Sequence, residues 1–422
     1  MSRRAPAAAL LLLLLAVVVV VLVTVPFPVL PGAHPQVQVT RDFTAAQLAR
    51  ERAFHSQIHP AAYAALALSL GLAAVLGLTR LGARLVTAVA RPFGGGWGWQ
   101  VVLGVTAVLT VGRLGTLPLD ARAEQVLRDY GLSTQNWPGW LVDQLKGLGI
   151  AAGTTALVLL VVVALARRAP RTWWAWGGAT AAALVLVGSF VYPVVVEPAF
   201  NSFTPLAAGQ LRTDLLALAA RDQVPVRDVL VADASRRTTS LNAYVSGYGS
   251  TRRVVLYDTL LRSESPRQVE LVVAHELGHA KRQDVLHGTV IGALGAAAGV
   301  CGLYLLLQWG PLLRRAGASG PGDPRVLPLV LLLSAVTTFA SSPLTELVSR
   351  HIEARADIHS LELTGDVPTF ISSQQGLAVA GLSTLEPGPV VYALFFDHPS
   401  TPQRIALARA WARLHPQPRP RP

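Results

Sequence analysis

Long stretches free of Asp, Glu, Lys and Arg, with arginines standing between them, constrain this chain more than anything else in it. A bilayer's hydrocarbon core is ~30 Å thick and takes about 20 apolar residues of helix to cross. Such runs fall at residues 7–23 (the densest part of a run between Arg4 and Arg41), 59–79, 97–112, 147–166, 172–196, 285–313 and 326–345. They predict a predominantly α-helical multi-pass membrane protein with about seven transmembrane helices. Composition agrees: the chain is 52% hydrophobic and 14% charged, where soluble domains carry about 25% charged residues. Ser2-Arg3-Arg4 would suit the start of a signal peptide, but the Leu/Val block behind it is long and no clean A-x-A site follows that block before Pro26. The first run is therefore read as a retained span.

The net charge of +12 is nearly all arginine, spread through short loops and tails. Aromatic residues are not interleaved with it, which excludes a nucleic-acid surface and points to anionic lipid head groups. Cys301 is the only cysteine, so an intrachain disulfide and a multi-cysteine zinc site are both excluded.

Polar segments separate or follow the spans. Residues 36–57 predict a short amphipathic helix, and residues 120–146 another helical stretch interrupted by a loop at 133–138. Between spans five and six, residues 204–221 have helical periodicity. Residues 229–232, 243–245 and 254–257 read as short strands, with a turn at 246–250. A Pro/Arg tail at 416–422 reads as disordered.

The chemistry centres on His275-Glu276-Leu277-Gly278-His279. On a helix, histidines at i and i+4 project from one face and can grip a tetrahedral zinc, with Glu276 beside the position left open. Ser265, Pro266 and Gln268 read as a capping box that starts the helix, and Val269, Leu271, Val272 and Val273 carry it into the motif. Arg267, Glu270, Lys281, Arg282 and Asp284 bracket it, so this turn does not face lipid.

Two histidines leave zinc short of a protein ligand. Glu353 and Asp357 are i and i+4 on a helix expected from near Pro343 to Gly365. Glu353 completes a His2Glu set for one Zn2+ per chain, and Asp357 is placed to accept a ring N–H from a ligating histidine. His398 is a candidate donor to the oxyanion of a tetrahedral intermediate. Arg404 is a candidate to hold a carboxylate or orient the substrate backbone.

Residues 203–206 (FTPL), 240–244 (SLNAY), 255–261 (VLYDTLL), the HELGH at 275–279, S-R-x-x-E-x-x-A-D at 349–357 and the His398-Pro399 to Arg404 element together resemble the type 1 CAAX prenyl proteases, integral-membrane zinc metalloendopeptidases. The likeness covers about residues 197–404. It implies helices enclosing a large intramembrane chamber and a zincin-like α+β metalloprotease domain with a small sheet. It also implies His275, His279 and Glu353 as ligands and Glu276 as general base. Asn242, Ala243 and Tyr244 would form an edge strand that aligns the substrate by β-strand addition, and His398 and Arg404 would contact the reacting peptide. Ala280 stands where the family commonly has an aromatic residue, and Ser400-Thr401 interrupts its usual Pro-Pro run.

The expected organisation is thus a membrane region at 1–196 with five spans and two amphipathic loops, protease segments at 197–284 and 346–415 divided by two spans at 285–345, and the tail. The expected function is hydrolysis of membrane-associated peptides or proteins. A non-catalytic transporter or scaffold with a structural metal is the rival. An Arg/Ala bias fits a high-GC bacterial genome without prenylated clients of its own. Arg3, Arg4, Arg80, Arg84, Arg91, Arg167, Arg168, Arg171, Arg314, Arg315 and Arg325 crowd the loops opposite the catalytic block, which by the positive-inside rule puts that block outside. The family resemblance and the block's own arginines put it on the cytosolic side of the cell membrane, the placement taken here.

Overall fold

The computed structural model describes residues 3–416. Apart from Pro416, the expected tail lies outside them. The helices that position the site, among those of the described residues, are α1 (Arg4–Thr24), α2 (Ala45–Leu78), α3 (Trp97–Asp129), α4 (Trp137–Arg168), α5 (Trp173–Val191), α6 (Gln210–Arg221), α7 (Pro266–Arg282), α8 (Asp284–Leu306), α9 (Leu327–Thr364), α10 (Val367–Gly381), α11 (Pro389–Phe395) and α12 (Thr401–Leu414). Seven helical stretches, built on α1–α5, α8 and α9, are long and apolar enough to cross a membrane. Their outward apolar side chains are bare, with Leu11 67% and Val23 79% exposed, as expected of surfaces whose solvent is lipid. A cluster that includes Val101, Val163, Trp173, Tyr304 and Leu327 knits α3, α4, α5, α8 and α9 together, and α1 packs along α8.

The spans run further than the apolar runs. The expected amphipathic helix at 36–57 and the second span are one helix, α2, continuous through Pro60 and started by a capping box at Thr44 and Gln47. Residues 137 and 138, expected in a loop, begin α4, where Asn136 accepts the Gly139 N–H at 2.8 Å. The sixth run breaks at Leu306, and Gly310–Ala316 forms a separate short helix. The segment carrying Glu353 and Asp357 is no separate helix: α9 passes straight through Pro343. Proline removes the N–H that would bond Phe339, and the Ser342 hydroxyl donates to that carbonyl instead, at 3.0 Å. A hydroxyl that re-satisfies a freed carbonyl is one way proline is tolerated inside membrane helices. Residue 345 therefore lies mid-helix, and the metal-site segment is a rigid extension of the seventh span.

Between α5 and α7 lies a four-stranded sheet of order β1-β2-β4-β3, made of β1 (Phe203–Pro205), β2 (Asp228–Ala232), β3 (Ala243–Ser246) and β4 (Arg253–Tyr257). The helical periodicity read from residue 204 begins only at Gln210, because Phe203, Thr204 and Pro205 pair antiparallel with β2. Among the described residues β3 pairs only with β4, Ala243 opposite Leu256 and Ser246 opposite Arg253, which leaves its other edge free of them. α7 presses Val269, Val273 and Leu277, none more than 1% exposed, onto Val254 and Leu256 of the sheet and Leu215 and Leu218 of α6. Full burial of a Val or Leu contributes roughly 1.5–3 kcal/mol, so this seam fixes α7 against the sheet. The sheet and α7 thus set the cleft, and α9 closes it.

Candidate metal centre

α7 begins as its sequence predicts, with the Ser265 side chain on the Gln268 N–H and Gln268 reaching back. It ends at Gln283, a non-glycine residue in the left-handed region at φ +56°. That single residue turns the chain sharply, so that Asp284, the first residue of α8, comes back beneath His279. Gly278 is the contact point with α9: a Cβ there would stand 3.0 Å from the His359 ring.

The Nε2 atoms of His275 and His279 are 3.2 Å apart. Glu353 brings Oε2 within 3.1 Å of His275 Nε2 and Oε1 within 3.5 Å of His279 Nε2. Each histidine's other nitrogen is taken by a carboxylate: Asp357 Oδ1 on His275 Nδ1 at 3.0 Å, and Asp284 Oδ2 on His279 Nδ1 at 2.9 Å. With Nδ1–H donated outward in the neutral tautomer, both Nε2 lone pairs and a carboxylate face one small volume. Three lone-pair donors in such contact repel one another unless a cation or extra protons lie between them. The separations also suit zinc, because tetrahedral ligands at ~2.0–2.1 Å lie about 3.4 Å apart. The residues fit the metal. Glu276 likewise brings an acceptor within 4.8 Å of the two imidazoles, but Glu353 makes the close contacts with both rings.

Each carboxylate partner is itself held by an arginine. Arg404 Nε donates to Asp357 Oδ2 at 2.8 Å, and Arg355 pairs with Asp284 while donating to the Thr24 carbonyl at the end of α1 at 2.6 Å. Arg404, a candidate to hold a carboxylate or orient the substrate backbone, has its guanidinium engaged by the Asp357 carboxylate and borders the cleft. Asp284 was read only as one of the charges bracketing the motif. Only the left-handed turn at Gln283 brings it back onto His279.

Burial pushes the Glu276 carboxyl above the usual carboxylate range, while the neighbouring histidines pull it back. A base of raised pKa beside a water site is suited to accept and return a proton near neutral pH. His398 lies on the far side of Glu353, 3.0 Å from Oε2, with Asp397 at 2.8 Å on its other nitrogen. Burial opposes its charge, but these two carboxylates prevail and raise its pKa to about 9.

The free edge of β3 runs beside this centre. Asn242 immediately precedes the strand, and its side chain accepts the Ala243 N–H at 2.9 Å. The Asn242 carbonyl accepts the Tyr257 N–H at 3.0 Å, so by alternation Val245 turns its backbone groups outward. Tyr244 lies on the cleft wall and directs its hydroxyl to Glu197. A cavity of about 410 Å³ joins Tyr244, Val245 and Tyr248 to His275, Glu276, His279, Glu353 and His398.

Residues 205–412 match peptidase family M48, and residues 45–202 match the region described as the CAAX prenyl protease N-terminal, five membrane helices. The chain is 34% identical over 308 residues to the Bacillus subtilis protein named uncharacterized metalloprotease YhfN, covering 72% of each. It is 25% identical over 307 residues to CAAX prenyl protease 1 of Saccharomyces cerevisiae, covering 68% of this chain and 67% of the other. The crystal structure of S. mikatae Ste24p superposes with a TM-score of 0.79 at 19% identity, over 97% of this chain and 99% of that one. That likeness is one of fold.

Proposed function

This chain belongs to peptidase family M48 and is a multi-pass membrane protein of the CAAX prenyl protease kind, and on that premise we propose that it is a zinc metalloendopeptidase acting on membrane-associated peptides or proteins. The observation that carries the reading is the convergence of His275 Nε2, His279 Nε2 and Glu353, with both Nδ1 atoms already committed to carboxylates. His275, His279 and Glu353 would hold the zinc, and zinc bound there supplies a Lewis acid that activates water and polarises a carbonyl. Asp357 and Asp284 keep the ring tautomers that leave Nε2 free. Substrate adds to the free edge of β3 from Asn242 through Tyr244 and beyond, which presents one peptide bond to the centre. Glu276 takes a proton from the attacking water and returns it to the leaving amine. The C–N bond breaks, and the water's oxygen ends in the new carboxylate. His398, whose charged form the Asp397 carboxylate favours, donates to the oxyanion as the carbonyl becomes tetrahedral.

The test is zinc content and peptide cleavage on detergent-purified protein, wild type beside Glu276→Gln. Zinc in both, with chelator-sensitive cleavage by the wild type alone, is the expected result. Zinc in both with cleavage by neither moves the site to a structural role in a transporter or scaffold, and absence of zinc from both overturns the ligand set. We place the catalytic block on the cytosolic side. Cysteine introduced at Ser319 in a Cys301→Ala background should then react with an impermeant thiol reagent from outside the cell, and protection there reverses the placement.

A further inference from the structure

His398 stands in a stretch, residues 396–400, that belongs to no helix and no strand. Its imidazole nevertheless lies 3.0 Å from Glu353 Oε2. Asp397, which takes the other ring nitrogen, is exposed and rides on the same stretch. It therefore orients the ring without fixing where the ring stands. The backbone is held by two anchors, one at each end.

The first is Arg350, three residues before Glu353 on α9 and only 9% exposed. Its Nη1 donates to the Phe396 carbonyl at 2.7 Å and to the Tyr392 carbonyl at 3.0 Å. Both carbonyls lie at the C-terminal end of α11, where the last C=O groups of a helix lack intrahelical partners and the helix dipole favours a cation. No carboxylate pairs with this guanidinium among the described residues, and the Tyr392 ring covers it, 4.4 Å from Cζ to the ring centroid. A cation taken out of water is costly unless its donors are met. Here the two carbonyls and the ring meet them, so the end of α11 is pinned to α9.

The second anchor is Gln403 in the first turn of α12. Its Oε1 accepts the Ser400 N–H at 2.8 Å and the Tyr392 hydroxyl at 2.7 Å. Ser400 stands where the family's proline run would continue, and a proline there would have no N–H to give. Tyr392 joins the two anchors, with its ring against Arg350 and its hydroxyl on the side chain that holds Ser400.

Resting on the peptidase reading above, we propose that Arg350 is a positioning residue for His398: it fixes residue 396 directly and residue 400 through Tyr392 and Gln403. Because Arg350 and Glu353 share one helix, a shift of α9 carries the metal ligand and the oxyanion donor together. Such a donor acts in the transition state and not on bound substrate, which separates this role from a general loss of structure.

The experiment uses zinc-loaded full-length protein in detergent and a quenched fluorescent peptide that the wild type cleaves. Arg350→Met keeps an unbranched side chain and removes its donors. It should lower kcat by about 10–100-fold with KM within about two-fold, at unchanged zinc content. His398→Ala and the double variant should be equally slow, since a mount without its imidazole has nothing left to place. Tyr392→Phe removes one hydroxyl at nearly constant shape and should lower kcat by about 3–10-fold, again with no further loss on top of His398→Ala. It supplies the test if Arg350→Met does not fold. Hydrogen exchange of residues 396–400, followed without substrate, should quicken in both variants and stay unchanged at residues 275–279. That measurement needs no turnover, so a wild type that cleaves nothing counts against the peptidase reading while exchange still reports on the mount. Losses that multiply in the double variants, a loss carried by KM, zinc missing from Arg350→Met, or exchange at residues 396–400 unmoved by either variant each overturns the assignment.

Discussion

The two histidines of the proposed zinc site are held by the same chemistry in two different regions of the molecule. Around His275 the clamp is Asp357 backed by Arg404, and every member lies on α7, α9 or α12, inside the polar block. Asp357 has no exposed surface at all. Around His279 the clamp is Asp284 backed by Arg355, and it spans the join to the membrane: Asp284 opens α8, and Arg355 also holds the last turn of α1. Both clamps draw on α9, but one imidazole's carboxylate is backed from the C-terminal helix α12, whereas the other's lies on α8 and shares its arginine with the end of α1. The contrast teaches that the bundle is part of the chemistry, because it sets the direction of one of the site's two ring nitrogens.

The strongest challenge to this distinction is to remove each carboxylate in turn. Asp357→Ala strands the guanidinium of Arg404 in the interior, and breaking a buried pair in this way costs about 3–5 kcal/mol. The variant should show a sharply lowered Tm and no retained zinc. Asp284→Ala leaves Arg355 its contact with the Thr24 carbonyl, so the fold should persist while zinc affinity falls by about 10–100-fold, read by competition with a chelator. Equal stability losses in the two variants would mean that the clamps are equivalent.

A finer cut is Arg355→Lys. A lysine keeps the charge but has no planar fork to serve two acceptors at once. Zinc should bind a few-fold, roughly 3–10-fold, more weakly, and the same change at an arginine outside the site should leave binding alone.

The smallest effect comes from an Asp–Arg pair far from the metal, which serves as the control. Burial works to raise the carboxyl of Asp323, but hydrogen bonds from Arg325 and Ser319 outweigh it and hold the pKa at about 2. A carboxyl depressed on folding stabilises above its unfolded pKa of ~3.9 and loses that contribution as pH falls toward 2, on the order of 2 kcal/mol in all. Asp323→Asn should therefore lower the Tm at pH 7 equally with and without zinc, and the gap should close between pH 4 and 2. A gap that depends on zinc would tie this loop to the site.

The sequence disclosed most where one helix carried the signal. His275, Glu276 and His279 are one turn of α7, and Glu353 and Asp357 one turn of α9, so helical spacing alone put each set on one face. The seven spans were legible because lipid imposes a length and forbids charge. What stayed hidden depended on contacts between elements. Nothing local distinguishes Asp284 from a border charge until Gln283, with no glycine to advertise it, adopts a left-handed turn. Pro343 suggested a break that the Ser342 hydroxyl repairs.

The bond from Arg355 to the Thr24 carbonyl joins residues 331 positions apart, and this has a consequence for how the protein is made. The end of α1 leaves the ribosome early and waits in the membrane while six more spans follow. His279 and Asp284 emerge next, yet their arginine arrives only with the lower half of the last span, together with Glu353. Until that helix is threaded, the centre lacks the third of its proposed ligands and one of its clamps. A hydrolase assembled in this order stays silent throughout its own synthesis, when unfolded chains lie closest to its cleft.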